Sequence, residues 1–361
     1  MKMLQIFRPD DLIAAKEDMD ALIAHQMPKR VPNGAMCFSG DFSVKNAGLD
    51  IAEVFHNPIS IYNAICWTAS QYQWNPFLQY SDLSVLGCLD FGGTMIYPTK
   101  NGEYLSALKH PVNNESDIEN LTLPDPEKTG DISRQLHFAR LQNKVGFPVG
   151  FASRSPFCLA ANMSGMMLFM TWMIEKPSLC RQLMEFAYQH IIRTLDVWVA
   201  NFGVENIQVW CSTPMESNQL ISPRHMETFA LPYLVKYCVH IKKLGIKQFC
   251  IHFCGEQNKN LPILAEADPW SHPAILSFGP EVDIVYAAKL FPQDIIYGNI
   301  DTILMEKGSP REVFDTCKEL LERGKRIENG FILAPGCSSP VFTPPVNMYA
   351  MTKALEEHGI Y

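Results

Sequence analysis

The strongest constraint on this chain is a rhythm in its second half, where short apolar runs alternate with longer amphipathic ones. NIQVWCS (206–212) is followed by SPRHMETFALPYLVKYCVHIKKLG, then KQFCIHFCG, AILSF with DIVYAAKLF, DIIYGNID with SPREVFDTCKELLERG, and GFILAPG with VNMYAMTKALEEHG. The short runs have strand length. Most of the long ones open near Ser, Pro or Asp and close at glycine, as helices do. Alternating strands and helices build parallel βα units. GFPVGFA (146–152), with the helical stretch 163–199 divided at Pro177, adds a sixth unit to these five. Repetition on this scale predicts an α/β fold, a (β/α)8 TIM barrel, and 361 residues suit one such barrel.

The first 145 residues are less regular. They predict a helix at about 9–26, a first strand at GAMCF, and a β-hairpin insertion over FGGTMIYPTKNGEYL. The expected organisation is a single barrel domain over 1–361, with residues 1–30 as an N-terminal helical cap. A formal charge of −8 without any Lys/Arg-rich run argues against a nucleic-acid surface. Arg8, Asp10 and Asp11 interrupt the N-terminus too early for a signal peptide, and MMLFMTWMI is too short to span a bilayer. Eleven cysteines without a disulfide-like spacing read as reduced thiols of a cytoplasmic protein. Most of them, as in ICW, FCL and YCV, read as core packing.

Chemistry concentrates where strands end, because a parallel barrel places its active site at the strand C-termini. The strand KQFCIHFCG stops being apolar at His252 and Cys254, two residues apart and therefore on one face. FILAPGCSSP places Cys337 at the corresponding end of its own strand. One imidazole and two thiolates suit zinc, and three protein ligands leave a fourth position for substrate. Each residue alone reads more simply as packing; the three at matching strand ends read as a metal set.

Several segments resemble the uroporphyrinogen decarboxylase family and its zinc methyltransferase relatives. They are QFCIHFCGEQNKNLPIL, the run from IIYGNIDTILMEKGSPREVF to FILAPGCSSPVFTPPVNMYAMTKAL, PFCLAANMSG and LISPRHMETFALPYL. The His-x-Cys…Cys pattern resembles the methyltransferase branch, in which those residues bind zinc. The resemblance implies a barrel enzyme that moves a methyl group between a small molecule and the cobalt of a separate corrinoid protein, with a tendency to dimerise. It implies that zinc, as a Lewis acid, acidifies a thiol or polarises an ether oxygen. Two substrate classes follow. GEQNKNLP, the aromatic-rich N-terminal half and TPPVN favour demethylation of a methoxylated aromatic; the two thiolate ligands favour methylation of a thiol such as coenzyme M. The decarboxylase branch itself fits less well, since its N-terminal arginine-rich motif is missing and only Lys29–Arg30 stands nearby.

Other candidates keep two readings each. Asp82 matches an acidic residue that the decarboxylase uses, and equally suits a strand edge or cap. Cys211 stands where the family often has an acid; it reads as a zinc ligand, a substrate contact or packing. Glu256, with Glu216 and Glu281, is a candidate fourth oxygen ligand or a partner to His252. Asn299 and Asp301, in YGNID, read as holding substrate or cofactor, or as loop hydrogen bonds. The chain contains no corrinoid-attachment motif, dinucleotide fingerprint or P-loop, so a corrinoid arrives on a partner protein. A non-catalytic barrel tied by zinc is the alternative from outside enzymology.

Overall fold

A computed structural model describes residues 13–35, 42–76, 80, 87–129 and 132–361. Its strands in chain order are β1 (Gly34–Ala35), β2 (Asn75–Pro76), β3 (Thr94–Ile96), β4 (Ser106–Lys109), β5 (Val149–Arg154), β6 (Ile207–Ser212), β7 (Gln248–Phe253), β8 (Ile275–Phe278), β9 (Ile295–Ile300) and β10 (Phe331–Pro335). Strands β5 to β10 form one parallel sheet in which each pairs with its successor. A parallel bridge between Asn33 and Leu333 sets β1 beside β10, and β2 pairs parallel with β1. Eight parallel strands thus follow one another in chain order, the order of a TIM barrel. The expected fold is therefore observed. All six strands read from the second half are present, and the predicted insertion is the antiparallel hairpin β3–β4.

Local chemistry sets the helix starts. Ser155 caps Pro156–Ser164, Asp283 caps Ile284–Leu290, and Ser309 forms a capping box with Glu312 on Pro310–Gly324. Each cap satisfies backbone N–H groups that the first turn leaves unpaired. The stretch expected to break at Pro177 does so, between Met166–Glu175 and Pro177–Phe202. Among the described residues no single helix is long and apolar enough to cross a membrane.

Alternation along the strands sorts the side chains. Phe151 meets Trp198, Ser153 shares a hydrogen bond with Tyr237, and Phe253 packs with Trp270 and Phe278, so these residues face the outer helices. Their neighbours face the barrel interior, where Trp210 packs against both His252 and Tyr297. Full burial of each such aromatic contributes roughly 1.5–3 kcal/mol. At the N-terminal pole, Met19 and Ile23 of the helix Ile13–Ile23 join the strand starts Gln208, Gln248, Ile275 and Ile295 around a cavity of about 550 Å³. Trp210 and Tyr297 line its inner wall. The N-terminal helix therefore caps the pole opposite the strand C-termini.

Candidate metal centre

At the C-terminal pole, β7 delivers His252 on the inner face and Cys254 just beyond its end, while Cys337 follows β10. The ligand atoms of these three residues lie within 4.8 Å of one another. The two sulfurs are 3.8 Å apart. Two thiolates each ~2.3 Å from one tetrahedral zinc would stand about 3.8 Å apart, whereas a disulfide needs about 2.05 Å. His252 is buried, and its Nδ1 shares a hydrogen bond of 3.0 Å with the Ser277 hydroxyl. Its Nε2 is buried without a hydrogen-bond partner. An orphaned imidazole nitrogen is costly unless it serves as a ligand. Donor type, spacing and the open nitrogen all fit zinc.

The thiols act as a coupled pair. The hydrogen bond from Cys254 holds the Cys337 thiol well below its ordinary range against the effect of burial, and His252 beside it adds in the same direction. The same contact, with burial, pushes the Cys254 thiol up. Two sulfurs this close favour a thiolate, which a divalent cation would bind. Both cysteines remain partly exposed.

Turns fix this geometry. Gly255 follows Cys254 at φ +71, and a Cβ there would also approach Gln219 Oε1 and Ser217 Oγ at 3.0 Å. Gly336 precedes Cys337, donates its N–H to Ile300 O, and has no room for a Cβ because Pro280 Cδ would lie at 2.9 Å. Neighbouring loops are tied together: Thr213 N–H donates to His252 O, and Asn260 donates to Glu216 O.

The remaining candidates are not brought to this cluster. Cys211 lies on the opposite face of β6; it is buried, with Cys238 of the outer helix nearby, and burial pushes its thiol far up. It is a packing residue. Glu256 turns its carboxylate onto its own loop, accepting from Asn258 N–H at 2.9 Å. Asn299 donates to the carbonyls of Gly279 and Val282, which ties two loops together. Asp301 caps the helix Thr302–Lys307. These contacts tie loops together and cap a helix. Glu281 is exposed, and Asp82 lies outside the described residues.

Glu216 is buried on the short helical turn after β6, where Ser155 and Cys158 both donate to its carboxylate. Burial pushes its pKa up to about 7, against the opposing pull of those two hydrogen bonds and Arg154. Sequence reasoning passed over Ser277, although a hydroxyl inside the apolar run AILSF was a signal. A second group, Asp268, His272 and Asp294, has metal-ligand spacing near the starts of β8 and β9. Both imidazole nitrogens there already meet carboxylates, at 3.1 and 2.8 Å, so the ring offers no open ligand atom.

The chain is 29% identical over 259 residues to the methylcobamide:CoM methyltransferase MtbA of Methanosarcina mazei, covering 70% of this chain and 71% of that protein. It is 26% identical over 258 residues to MtbA of Methanosarcina acetivorans, with the same coverage. The uroporphyrinogen decarboxylase of Myxococcus xanthus is 28% identical over 265 residues, covering 69% of this chain and 70% of that one. A solved methyltransferase from Methanosarcina mazei superposes with a TM-score of 0.78 at 21% identity, covering 95% of this chain and 98% of its own, so the fold is shared. The profile of the family described as uroporphyrinogen decarboxylase (URO-D) matches residues 15–358, and with the barrel it shows that the chain belongs to that family.

Proposed function

We propose that the chain is a zinc-dependent methyltransferase that moves a methyl group between a small molecule and the cobalt of a separate corrinoid protein in the cytoplasm. The observation that carries this reading is the trio His252, Cys254 and Cys337, with sulfurs 3.8 Å apart and an open imidazole nitrogen. Decarboxylation requires no such donor set. The methyltransferase relatives and the thiol-rich site both stand on the methyl-transfer side.

Zinc held there would supply Lewis acidity toward a thiol sulfur or an ether oxygen. The protein's part is orientation: Ser277 fixes the His252 ring, and the glycine turns fix the two sulfurs. Two small-molecule classes are assigned in order. A methoxylated aromatic would give its methyl group to cobalt and leave as a phenol after taking up a proton. A thiol such as coenzyme M would receive the methyl group and release its proton; the names of the methanogen relatives and the two thiolate ligands favour this second reading.

The test is zinc content in the wild type and in Cys337→Ala, followed by cobalt spectroscopy. Near-stoichiometric zinc that falls in the variant is expected. Cob(I)alamin converted to methylcobalamin by a methoxyarene supports demethylation, and methylcobalamin consumed by a thiol supports the second reading. A wild-type chain that takes up no zinc sinks both.

A further inference from the structure

We infer that Arg154 selects substrates by clamping an anionic group, a carboxylate or sulfonate, at the end of the small molecule remote from the metal centre. The inference rests on the methyl-transfer reading and deepens it. Register carries the argument. Arg154 pairs with Ser212, Ser212 with His252, and His252 with Ser277, one row across four adjacent parallel strands. Side chains in one row of a parallel sheet point to the same face. On β5, Phe151 and Ser153 face the outer helices, so Gly150, Ala152 and Arg154 face inward.

Arg154 thus enters the barrel mouth at the level of His252, two strands away, or roughly 10 Å between backbones. The residue between them in the row is a serine, whose short side chain leaves the two long ones as the row's chemical poles. Ser212, His252 and Ser277 are buried, whereas Arg154 is partly exposed. Its charge also reaches the turn after β6, where it opposes the upward pull of burial on Glu216.

The choice of arginine matters. A guanidinium offers a planar fork that matches a carboxylate or sulfonate with two parallel hydrogen bonds. A chain of net charge −8 repels anions at long range, so an inward cation beside the reacting centre is what makes an anionic substrate acceptable. Arg154 would touch the substrate's far end and none of the reacting atoms.

The experiment measures binding by titration calorimetry to the zinc-loaded full chain, using matched probes. The thiol set is 2-mercaptoethanesulfonate, 3-mercaptopropionate and neutral 2-mercaptoethanol; the ether set is 3-methoxybenzoate and neutral methoxybenzene. Arg154→Met is expected to weaken the anionic probes by about ten- to a hundredfold, the worth of a charged hydrogen-bonded contact, and the neutral probes by under about twofold. Arg154→Lys should recover part of the loss, and the preferred wild-type probe identifies carboxylate or sulfonate. Equal loss for charged and neutral probes, or no charge preference in the wild type, overturns the clamp. Zinc content and methyl transfer measured on the same samples separate that failure from failure of the methyltransferase reading, which would show as a wild type without zinc.

Discussion

A single hydroxyl decides which nitrogen of His252 is open. With Ser277 on Nδ1, the ring is held in one orientation and Nε2 is left open as the candidate ligand atom. Ser277→Ala should therefore leave the fold intact and weaken zinc by about ten- to a hundredfold, measured by competition with a chromogenic chelator. Unchanged affinity would mean that the hydroxyl has no part in aiming the ring. Glu216 gives a second prediction, in pH. Its ordinary value of 4.5 is raised to about 7 in the fold, chiefly by burial. Between those values the native protein keeps a proton that the unfolded chain has released, so stability falls as pH rises through that window. Glu216→Gln removes the titration and keeps one oxygen acceptor, for either Ser155 or Cys158. Urea unfolding should show wild type losing about 3 kcal/mol relative to the variant between pH 4.5 and 7, and no further difference above it. Parallel pH curves for the two proteins would contradict the raised pKa.

Among the elements, the turns beyond β7 and β10 matter more to the centre than any helix. Two substitutions of similar cost separate the two roles. Gly255→Ala forces a residue with a Cβ into φ +71 and against Ser217, at a cost of about 1–2 kcal/mol. Ser309→Ala removes a capping box from the helix Pro310–Gly324, at about 1 kcal/mol. Both should lower the unfolding midpoint, but only Gly255→Ala should also lower zinc content, because it displaces Cys254. Matching zinc in both variants would show that the turn has no role in setting the sulfur. The same elements explain what sequence could reveal. Strands β5 to β10 are legible because each is a largely apolar run followed by a helix, and the helices after β5, β6, β8 and β9 open on side-chain caps. Strand β1 opens the run GAMCF expected as the first strand, whereas β2 is a two-residue pairing in the described region and WNP gives no strand signal. The convergence of His252, Cys254 and Cys337 was readable because soft donor residues end apolar strands. The inward position of Arg154 was not legible because the apolar run GFPVGFA ends at Ala152, two residues earlier. Asn299 and Asp301 make loop ties and a helix cap, contacts whose polar residue types in sequence are the same as those of ligand contacts.

For the whole molecule, the barrel separates its two poles. The N-terminal helix closes one over an apolar cavity, and Trp210 stands between that cavity and His252. The other pole carries the thiols on loops that follow β7 and β10, which are joined through the intervening strands β8 and β9. A metal ion bound by both loops would link segments far apart in sequence, and the unfolded chain offers no such preformed site. Binding to the native state alone must then stabilise the entire barrel. At a free zinc level a hundredfold above the dissociation constant, the gain is about 2.7 kcal/mol. With an unfolding entropy of roughly 2.1 cal/mol/K per residue, a chain of 361 residues should shift its melting temperature by about 3–4 °C. Calorimetric scans of wild type with zinc and with a chelator should show that shift, and Cys337→Ala should show almost none. A wild-type shift that survives in Cys337→Ala would assign the stabilising metal to another place, and the Asp268, His272 and Asp294 group would be the first to test.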